Sequence, residues 1–211
     1  MKSDRKTVNG VPPRAAGSEP EQRDFFDATP PLPEGLTYRP DFITAAEEAE
    51  LLAEIERLPL REAQYKSFTA KRRIHSFGLA YDFRANALLP APPLPSLLMT
   101  LREKVAQWVD LPAQSFAHGL VTEYRPGTQL GWHRDAPEFA VIVGISLLGP
   151  CRMRFRPYPP RRNKREETFA LALEPRSAYV MRGPARWGWQ HSIPPTKTLR
   201  YSITFRTRRK R

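Results

Sequence analysis

Apolar positions along this chain change period at about residue 116. Before that point they recur at helical spacing: Ala45, Ala49, Leu52 and Ile55 form one stripe, and Leu97, Leu98, Leu101, Val105 and Trp108 form another. Thr44-Ala45-Ala46-Glu47 has the capping-box spacing, in which the Thr hydroxyl and the Glu carboxylate satisfy free amides of the first turn. The pattern predicts a helix over about 45–57, stopped by Pro59. It predicts a second helix after a rigid connector at Pro90 to Pro95, ending before Pro112. From 116 onward the runs Phe116 to Tyr124, Phe139 to Leu148, Arg152 to Tyr158, Thr168 to Leu173, Ala178 to Arg182, Trp189 to Ile193 and Arg200 to Arg206 read as short strands divided by Gly, Pro or charged turns. That series predicts a mainly β fold with flanking helices, a sandwich or barrel. Residues 1–35, rich in Pro, charged and small residues, read as a flexible arm, and 36–207 as one domain with a basic tail at 208–211.

The last of these runs carries chemistry. In a strand, Arg200, Ser202, Thr204 and Arg206 fall on one face and Tyr201, Ile203 and Phe205 on the other. Two guanidiniums on a strand-like segment are costly to bury unless anions meet them, and a guanidinium fork pairs naturally with a carboxylate, so a dicarboxylate ligand suits this face. Upstream, His133-Arg134-Asp135 sends His133 and Asp135 to the same side of an extended chain. A second imidazole would complete two histidines and one carboxylate, the arrangement that leaves open positions on non-haem Fe(II). His191 is the only histidine downstream.

These residues resemble the signature of AlkB-type Fe(II)/2-oxoglutarate-dependent dioxygenases: His-x-Asp, a distal His, and Arg-x-Asn-x-x-x-Arg, here with Ser202 in place of the Asn. Thr122-Glu123-Tyr124-Arg125-Pro126-Gly127 stands where the family often has Asn-x-Tyr before a Pro-Gly turn. The resemblance implies a double-stranded β-helix (jelly roll) buttressed by the two helices. It implies Fe(II) held by His133, Asp135 and His191, with 2-oxoglutarate and oxygen as cosubstrates. Arg200, helped by Tyr124, would take the far carboxylate; Arg206, with Ser202 and Thr122 nearby, would support the metal-side carboxylate or orient Asp135. The implied reaction yields succinate and carbon dioxide and hydroxylates a C–H bond. On an N-methyl group it releases formaldehyde, so the expected substrate is a base such as 1-methyladenine or 3-methylcytosine in DNA or RNA. Base-repair members carry further acidic residues directly after the metal Asp, whereas this chain reads Ala136-Pro137-Glu138, with Glu138 in a shifted position. The same family places a mobile lid ahead of the jelly roll, which falls here on 64–83.

Within that span Lys66, Lys71, Arg72 and Arg73 precede His75, Phe77 and Tyr81, a mixture suited to holding phosphates and stacking on bases, or to an ordinary hairpin whose aromatics complete the core. Trp187 and Trp189 share strand parity with His191, so Trp189 is a candidate for the pocket wall or for the core. The net charge of +12 is unevenly placed: residues 1–35 hold five basic against six acidic side chains, while 150–211 hold 17 Lys or Arg against Glu166, Glu167 and Glu174, a surplus of 17 − 3 = +14. Such a surface draws in polyanions, which favours a nucleic-acid partner; the hairpin tip Arg161 to Arg165 and the tail Arg208 to Arg211 are candidate phosphate contacts. Two alternatives remain open at this stage: the same oxygenase chemistry on a protein or small molecule, and a non-catalytic nucleic-acid-binding jelly roll. A single cysteine, Cys151, fits a reducing compartment, and no apolar run has the length of a membrane span or forms a signal-peptide core. The expectation is a cytoplasmic monomer.

Overall fold

The computed structural model describes residues 32–64, 69–82, 85–160 and 168–210. The elements in chain order are β1 (Leu36–Arg39), α1 (Ala45–Glu56), β2 (Arg61–Gln64), β3 (Thr69–Phe77), β4 (Leu79–Asp82), β5 (Ala87–Pro90) and α2 (Ser96–Val109). A 3-10 turn at Ala113–Ser115 leads into β6 (Phe116–Tyr124), β7 (Leu130–His133), β8 (Phe139–Leu147), β9 (Cys151–Pro157), β10 (Phe169–Leu173), β11 (Ala178–Met181), the short helix α3 (Gly183–Trp187), β12 (Trp189–Ile193) and β13 (Arg200–Arg208).

Both predicted helices form, and their ends have local causes. The capping box closes α1: the Glu47 amide donates to Thr44 Oγ1 at 3.2 Å and the Thr44 amide to Glu47 Oε2 at 2.7 Å. Lys104 of α2 reaches the same Glu47 carboxylate at 2.7 Å, tying the helices together. α2 stops on Asp110, which turns left-handed (φ 55°) and donates its amide back to the Ala106 and Gln107 carbonyls.

Two antiparallel sheets make the jelly-roll core, one of seven strands in the order β1-β11-β8-β13-β6-β3-β2 and one of four in the order β10-β9-β12-β7; β4 and β5 form a separate hairpin. Leu51 and Ile55 of α1 and Leu98, Leu101 and Val105 of α2 pack on the outer face of the large sheet against Val121, Val143, Ile145, Ile203 and Phe205. A second cluster fills the space between the sheets, with Ile142, Tyr179 and Met181 from one meeting Met153, Phe155 and Leu173 from the other. Among the described residues no helix is long and apolar enough to cross a membrane.

The structure moves several predicted boundaries. The domain starts before residue 36: the Ala185 amide donates to the Glu34 carbonyl and the Arg182 amide to the Gly35 carbonyl, each at 2.9 Å. Gly35 sits at φ 85° with no room for a Cβ beside the Arg182 carbonyl. Residues 1–31 of the predicted arm lie outside the described residues, as do Lys66, the hairpin tip Arg161 to Arg165 and Arg211. The basic tail is not separate: Arg208 belongs to β13, and Arg209 donates its amide to the Glu138 carbonyl at 2.7 Å and stacks on Trp187. Among the described residues of the span predicted as a lid, Thr69–Phe77 form β3, a strand of the large sheet hydrogen-bonded to β6 from Arg73 to Phe77, and Leu79–Asp82 form β4. The charged, weakly alternating sequence of β3 hides the strand, because its cavity-facing positions Arg72, Ile74 and Ser76 mix charged, apolar and small polar side chains instead of the uniform apolar face of a core strand.

A carboxylate braces the outer face of the large sheet. Glu123 on β6 stands in register with Arg73 of β3 and Tyr201 of β13, accepts both arms of Arg73 at 2.8 and 2.6 Å, and is also reached by Arg125 at 2.9 Å and the Tyr201 hydroxyl at 3.3 Å. The Arg73 hydrogen bonds hold its pKa below the usual carboxylate range despite burial. A depressed folded pKa contributes stability above the unfolded value that disappears as pH falls toward the folded one. Glu123→Gln is expected to lower unfolding free energy by about 1–3 kcal/mol at pH 7, a difference that shrinks as pH drops below about 4.5. Urea denaturation of both proteins at pH 7 and pH 4 checks this, and a pH-independent difference would refute it.

Candidate active site

His133, Asp135 and His191 converge although they come from different segments. β12 pairs with β7 so that His191 lies directly across from His133, and their rings are 4.2 Å apart. Asp135 follows the end of β7 and still faces the same side, while Arg134 turns outward to stack on Tyr158 at 3.6 Å. One donor atom from each of the three lies within 4.8 Å of the others, and His191 Nε2 is 3.6 Å from Asp135 Oδ2.

The protonation states suit a cation. Burial alone would raise the Asp135 carboxyl, but Arg206 first, then His191, His133 and Arg186, hold it well below the usual carboxylate range. Burial, with His133 beside it, pushes His191 down to about 3 against the pull of Asp135. Burial likewise lowers His133, whose Nδ1 donates to the Gly131 carbonyl at 2.9 Å and so leaves Nε2 as the free lone pair. At neutral pH the set is therefore two neutral imidazoles and one carboxylate, which fits Fe(II) among the metals that N,O sites hold.

The face of β13 places the two arginines as strand alternation demands. Arg206 donates through Nε and Nη2 to Asp135 Oδ1 at 2.9 and 2.8 Å, leaving Oδ2 turned toward His191. Its Nη1 meets His118 Nδ1 at 3.2 Å. Arg200 is only 2% exposed and donates through Nη2 to Ser146 Oγ at 3.0 Å. Its Nε and Nη1 have no hydrogen-bond partner, and Tyr124 lies 5.0 Å beneath its guanidinium. A fully buried cation with no carboxylate against it among the described residues fits a carboxylate-bearing cosubstrate such as 2-oxoglutarate.

His133, Asp135 and Arg206 line two adjoining cavities, and His191 lines the inner of them. The inner one is lined by Thr122, Tyr124, Arg200, Ser202 and Thr204, so every residue expected at the cosubstrate lies on it. The outer one is lined by Arg72, Ile74, Tyr81, His118, Trp132 and Ala136. Of the expected substrate contacts only Tyr81 reaches it. His75 projects from the other face of β3, where it meets Phe77 edge-on at 4.7 Å, because Arg72, Ile74 and Ser76 take the cavity side. Glu138 lies off the cavity lining with a buried, partnerless Oε2, and the backbone places its neighbours Ala136 and Phe139 on the wall instead. Trp189 packs edge-on against Phe169 at 5.4 Å in the intersheet cluster, and Trp187 ends α3 rather than sharing a strand with His191.

Three site residues escape the sequence reading, and a fourth, Arg72, is named there only as one member of a basic and aromatic run. Extending the parity of Thr122 and Tyr124 back along β6 reaches His118, which stacks on Phe139 at 4.8 Å. Tyr179 lines the inner cavity and lies so close to Gly144 that any Cβ there would overlap its ring. Arg72 is the β3 residue common to both cavities. Arg186 has no sequence signal: 2% exposed on α3, it donates Nη2 to the carbonyls of Asp135, Ala136 and Phe139 at 3.1, 2.8 and 3.0 Å, clamping the loop that carries the carboxylate.

Comparison with known proteins agrees with this geometry. The profile described as "2OG-Fe(II) oxygenase superfamily" matches residues 35–206. The chain is 31% identical over 184 residues to the "Alkylated DNA repair protein ALKBH8 homolog" of Arabidopsis thaliana, a match covering 77% of this chain but only 51% of that protein. It is 28% identical over 165 residues to the Bos taurus "Alpha-ketoglutarate-dependent dioxygenase alkB homolog 7, mitochondrial", covering 77% of this chain and 68% of the relative. Among solved structures, that of OsALKBH1 superposes with a TM-score of 0.67 at 15% identity, covering 84% of this chain and 99% of the other, and so shares the fold. With a matching family model over most of its length, and with His133, Asp135, His191, Arg200 and Arg206 gathered on one cavity, the chain belongs to the 2OG-Fe(II) oxygenase superfamily and is of the AlkB type, using Fe(II), 2-oxoglutarate and oxygen.

Proposed function

We propose that this domain oxidatively demethylates alkylated nucleobases of the 1-methyladenine or 3-methylcytosine type in DNA or RNA, releasing formaldehyde. The observation that carries the reading is a pair of cavities that share His133, Asp135 and Arg206: an inner polar one that also holds His191 and ends at the guanidinium of Arg200, whose Nε and Nη1 are unpaired, and an outer one whose wall includes aromatic and basic side chains. Bound iron with 2-oxoglutarate and oxygen supplies the oxidising power, converting 2-oxoglutarate to succinate and carbon dioxide while a C–H bond is hydroxylated.

The chain's own groups do the holding. Arg200, over Tyr124, takes the far carboxylate, and Thr122 and Ser202 offer hydroxyls along the same wall. Arg206 fixes Asp135 through one oxygen, so that the other stays aimed beside His191. In the outer cavity Tyr81 and Trp132 present rings on which a flat base can lie, and His118, held neutral by burial and bonded through Nδ1 to Arg206, offers Nε2–H as a donor. The basic surplus of residues 150–211 supports a polyanionic substrate, and so does the name of the plant relative.

Incubation with Fe(II), 2-oxoglutarate and methylated DNA, RNA or peptide panels is expected to give formaldehyde with the oligonucleotides, and His133→Ala to abolish it. Succinate formation stimulated only by peptide would reject the substrate class while leaving the oxygenase intact. Arg200→Gln is expected to weaken 2-oxoglutarate binding by about 10- to 100-fold, the loss of a charge-assisted hydrogen bond. Titration calorimetry reads it, and an unchanged affinity would move the cosubstrate elsewhere. For Arg186→Met, Fe(II) affinity is expected to fall by about 10-fold or more, because the loop bearing Asp135 loses its clamp; an unaltered anaerobic Fe(II) titration would make Arg186 a purely structural residue.

A further inference from the structure

The four-stranded sheet has a second face. On β9, Met153 and Phe155 point inward at 2% and 1% exposure, so Arg152, Arg154 and Arg156 point outward. Register carries that face across the sheet: Arg156 lies beside Gln190 and Arg154 beside Ser192 on β12, and Trp132 precedes the inward His133 on β7. Arg154 Nε donates to Ser192 Oγ at 3.2 Å and Arg156 Nε to Gln190 Oε1 at 2.8 Å. Both guanidiniums thereby stretch across β12 and come over the Trp132 ring, at 5.2 and 4.6 Å from its centre. Among the described residues no carboxylate lies within ion-pair distance of Arg152 or Arg154.

This strip is continuous with the active-site mouth. Trp132 borders a surface cleft shared with Arg152, Arg154, Phe169 and Pro194, and it also lines the outer cavity. Arg134, stacked on the exposed Tyr158, lies on the same rim. Alternate residues on a strand are about 6.6 Å apart, a repeat comparable with that of successive phosphates along an extended polynucleotide. Guanidiniums anchored through Nε and backed by an indole keep their orientation at little entropic cost, and they suit phosphate oxygens. An acidic peptide would supply anions without flat rings for the aromatics. A bilayer would call for protruding aliphatic side chains, where this face offers Ala170 and Ala172.

We infer that the outer face of this sheet, through Arg152, Arg154 and Arg156 with Trp132, docks the phosphate backbone of a single-stranded nucleic acid beside the active-site mouth. The inference rests on the nucleic-acid reading of the cavity and extends it to the strand flanking the target base. Phosphates on the arginines and a neighbouring base against the half-buried Trp132 or the exposed Tyr158 would hold the strand in register with the opening.

The test is fluorescence anisotropy of the full chain with unmodified single-stranded DNA and RNA over a range of salt concentrations. Replacing all three arginines (R152Q/R154Q/R156Q) is expected to weaken binding by about tenfold or more and to reduce the slope of log K against log salt by about 2, roughly 0.7 for each lost phosphate contact. The charge-keeping R152K/R154K/R156K is expected to recover most of the slope, which a mere folding defect would not allow. With a methylated oligonucleotide the glutamine variant should raise KM and keep kcat. Wild-type affinity and salt slope in the glutamine variant would overturn the proposal, as would a wild-type chain that binds anionic vesicles or acidic peptides but no oligonucleotide. Salt-dependent binding lost in the glutamine variant, together with no turnover of any methylated oligonucleotide, would sustain the docking surface and reject the demethylase reading.

Discussion

The structure turns on the two-sided alternation of β13. It is hydrogen-bonded on both edges, to β6 and to β8, so its register cannot slip without turning every side chain to the wrong face. Ile203 and Phe205, fully buried, lock one face into the helix-covered core, and Tyr201 joins them. The other face is then obliged to carry Arg200, Ser202, Thr204 and Arg206 into the interior. Burying a guanidinium costs several kcal/mol unless an anion answers it. Arg206 meets Asp135, but among the described residues Arg200 hydrogen-bonds only the Ser146 hydroxyl. Apolar packing on one face therefore holds a cation on the other that the chain itself leaves incompletely matched.

Asp135 is the second point on which the site depends, and it is held by cations rather than by a ladder. It lies beyond β7 in a segment without strand pairing, so its backbone needs other partners. Arg186 supplies them, taking three carbonyls with one Nη2, while Arg206 supplies the side-chain restraint. The same two charges help keep the carboxylate ionised, and burial keeps both imidazoles neutral. The donor set is thus in its metal-binding protonation state before any ion arrives, and little proton release need accompany binding.

What the sequence discloses follows from how each element earns its stability. Helices α1 and α2 and strands β6 and β8 to β13 bury an apolar face, so their periods are visible in the residue order. The chemistry on β6, β7, β12 and β13 is visible for a related reason: parity alone predicts which side chains share a wall, and Thr122, Tyr124, Arg200, Ser202 and Arg206 do share one. Strand β3 is hidden because its cavity face is mixed, with Arg72 and Ser76 flanking Ile74 where a core strand would have only apolar residues. His75 is misplaced for want of that register. Arg186 is illegible in principle, since its partners are backbone carbonyls 47 to 51 residues away, and carbonyls leave no trace in a sequence.

The four-stranded sheet extends the same logic outward. Its inner face delivers His133 and His191 to the site, and the residues between and beside them must then face solvent. On β7 that residue is Trp132; on β9, across the ladder from His191 and its neighbours, the outward positions are arginines. A half-buried indole and three guanidiniums on a solvent face contribute little to folding, since charges of one sign repel and a ring left partly in water gains only part of its burial energy. Stacking offsets part of that cost, which is why the Arg154 and Arg156 guanidiniums lie over the ring instead of extending into water. The inner ladder sets His133 and His191 within one residue of an outer basic and aromatic row, which keeps the two faces of the sheet in fixed register. A strand docked on the outer face, as inferred, would therefore lie at a set distance from the candidate metal site.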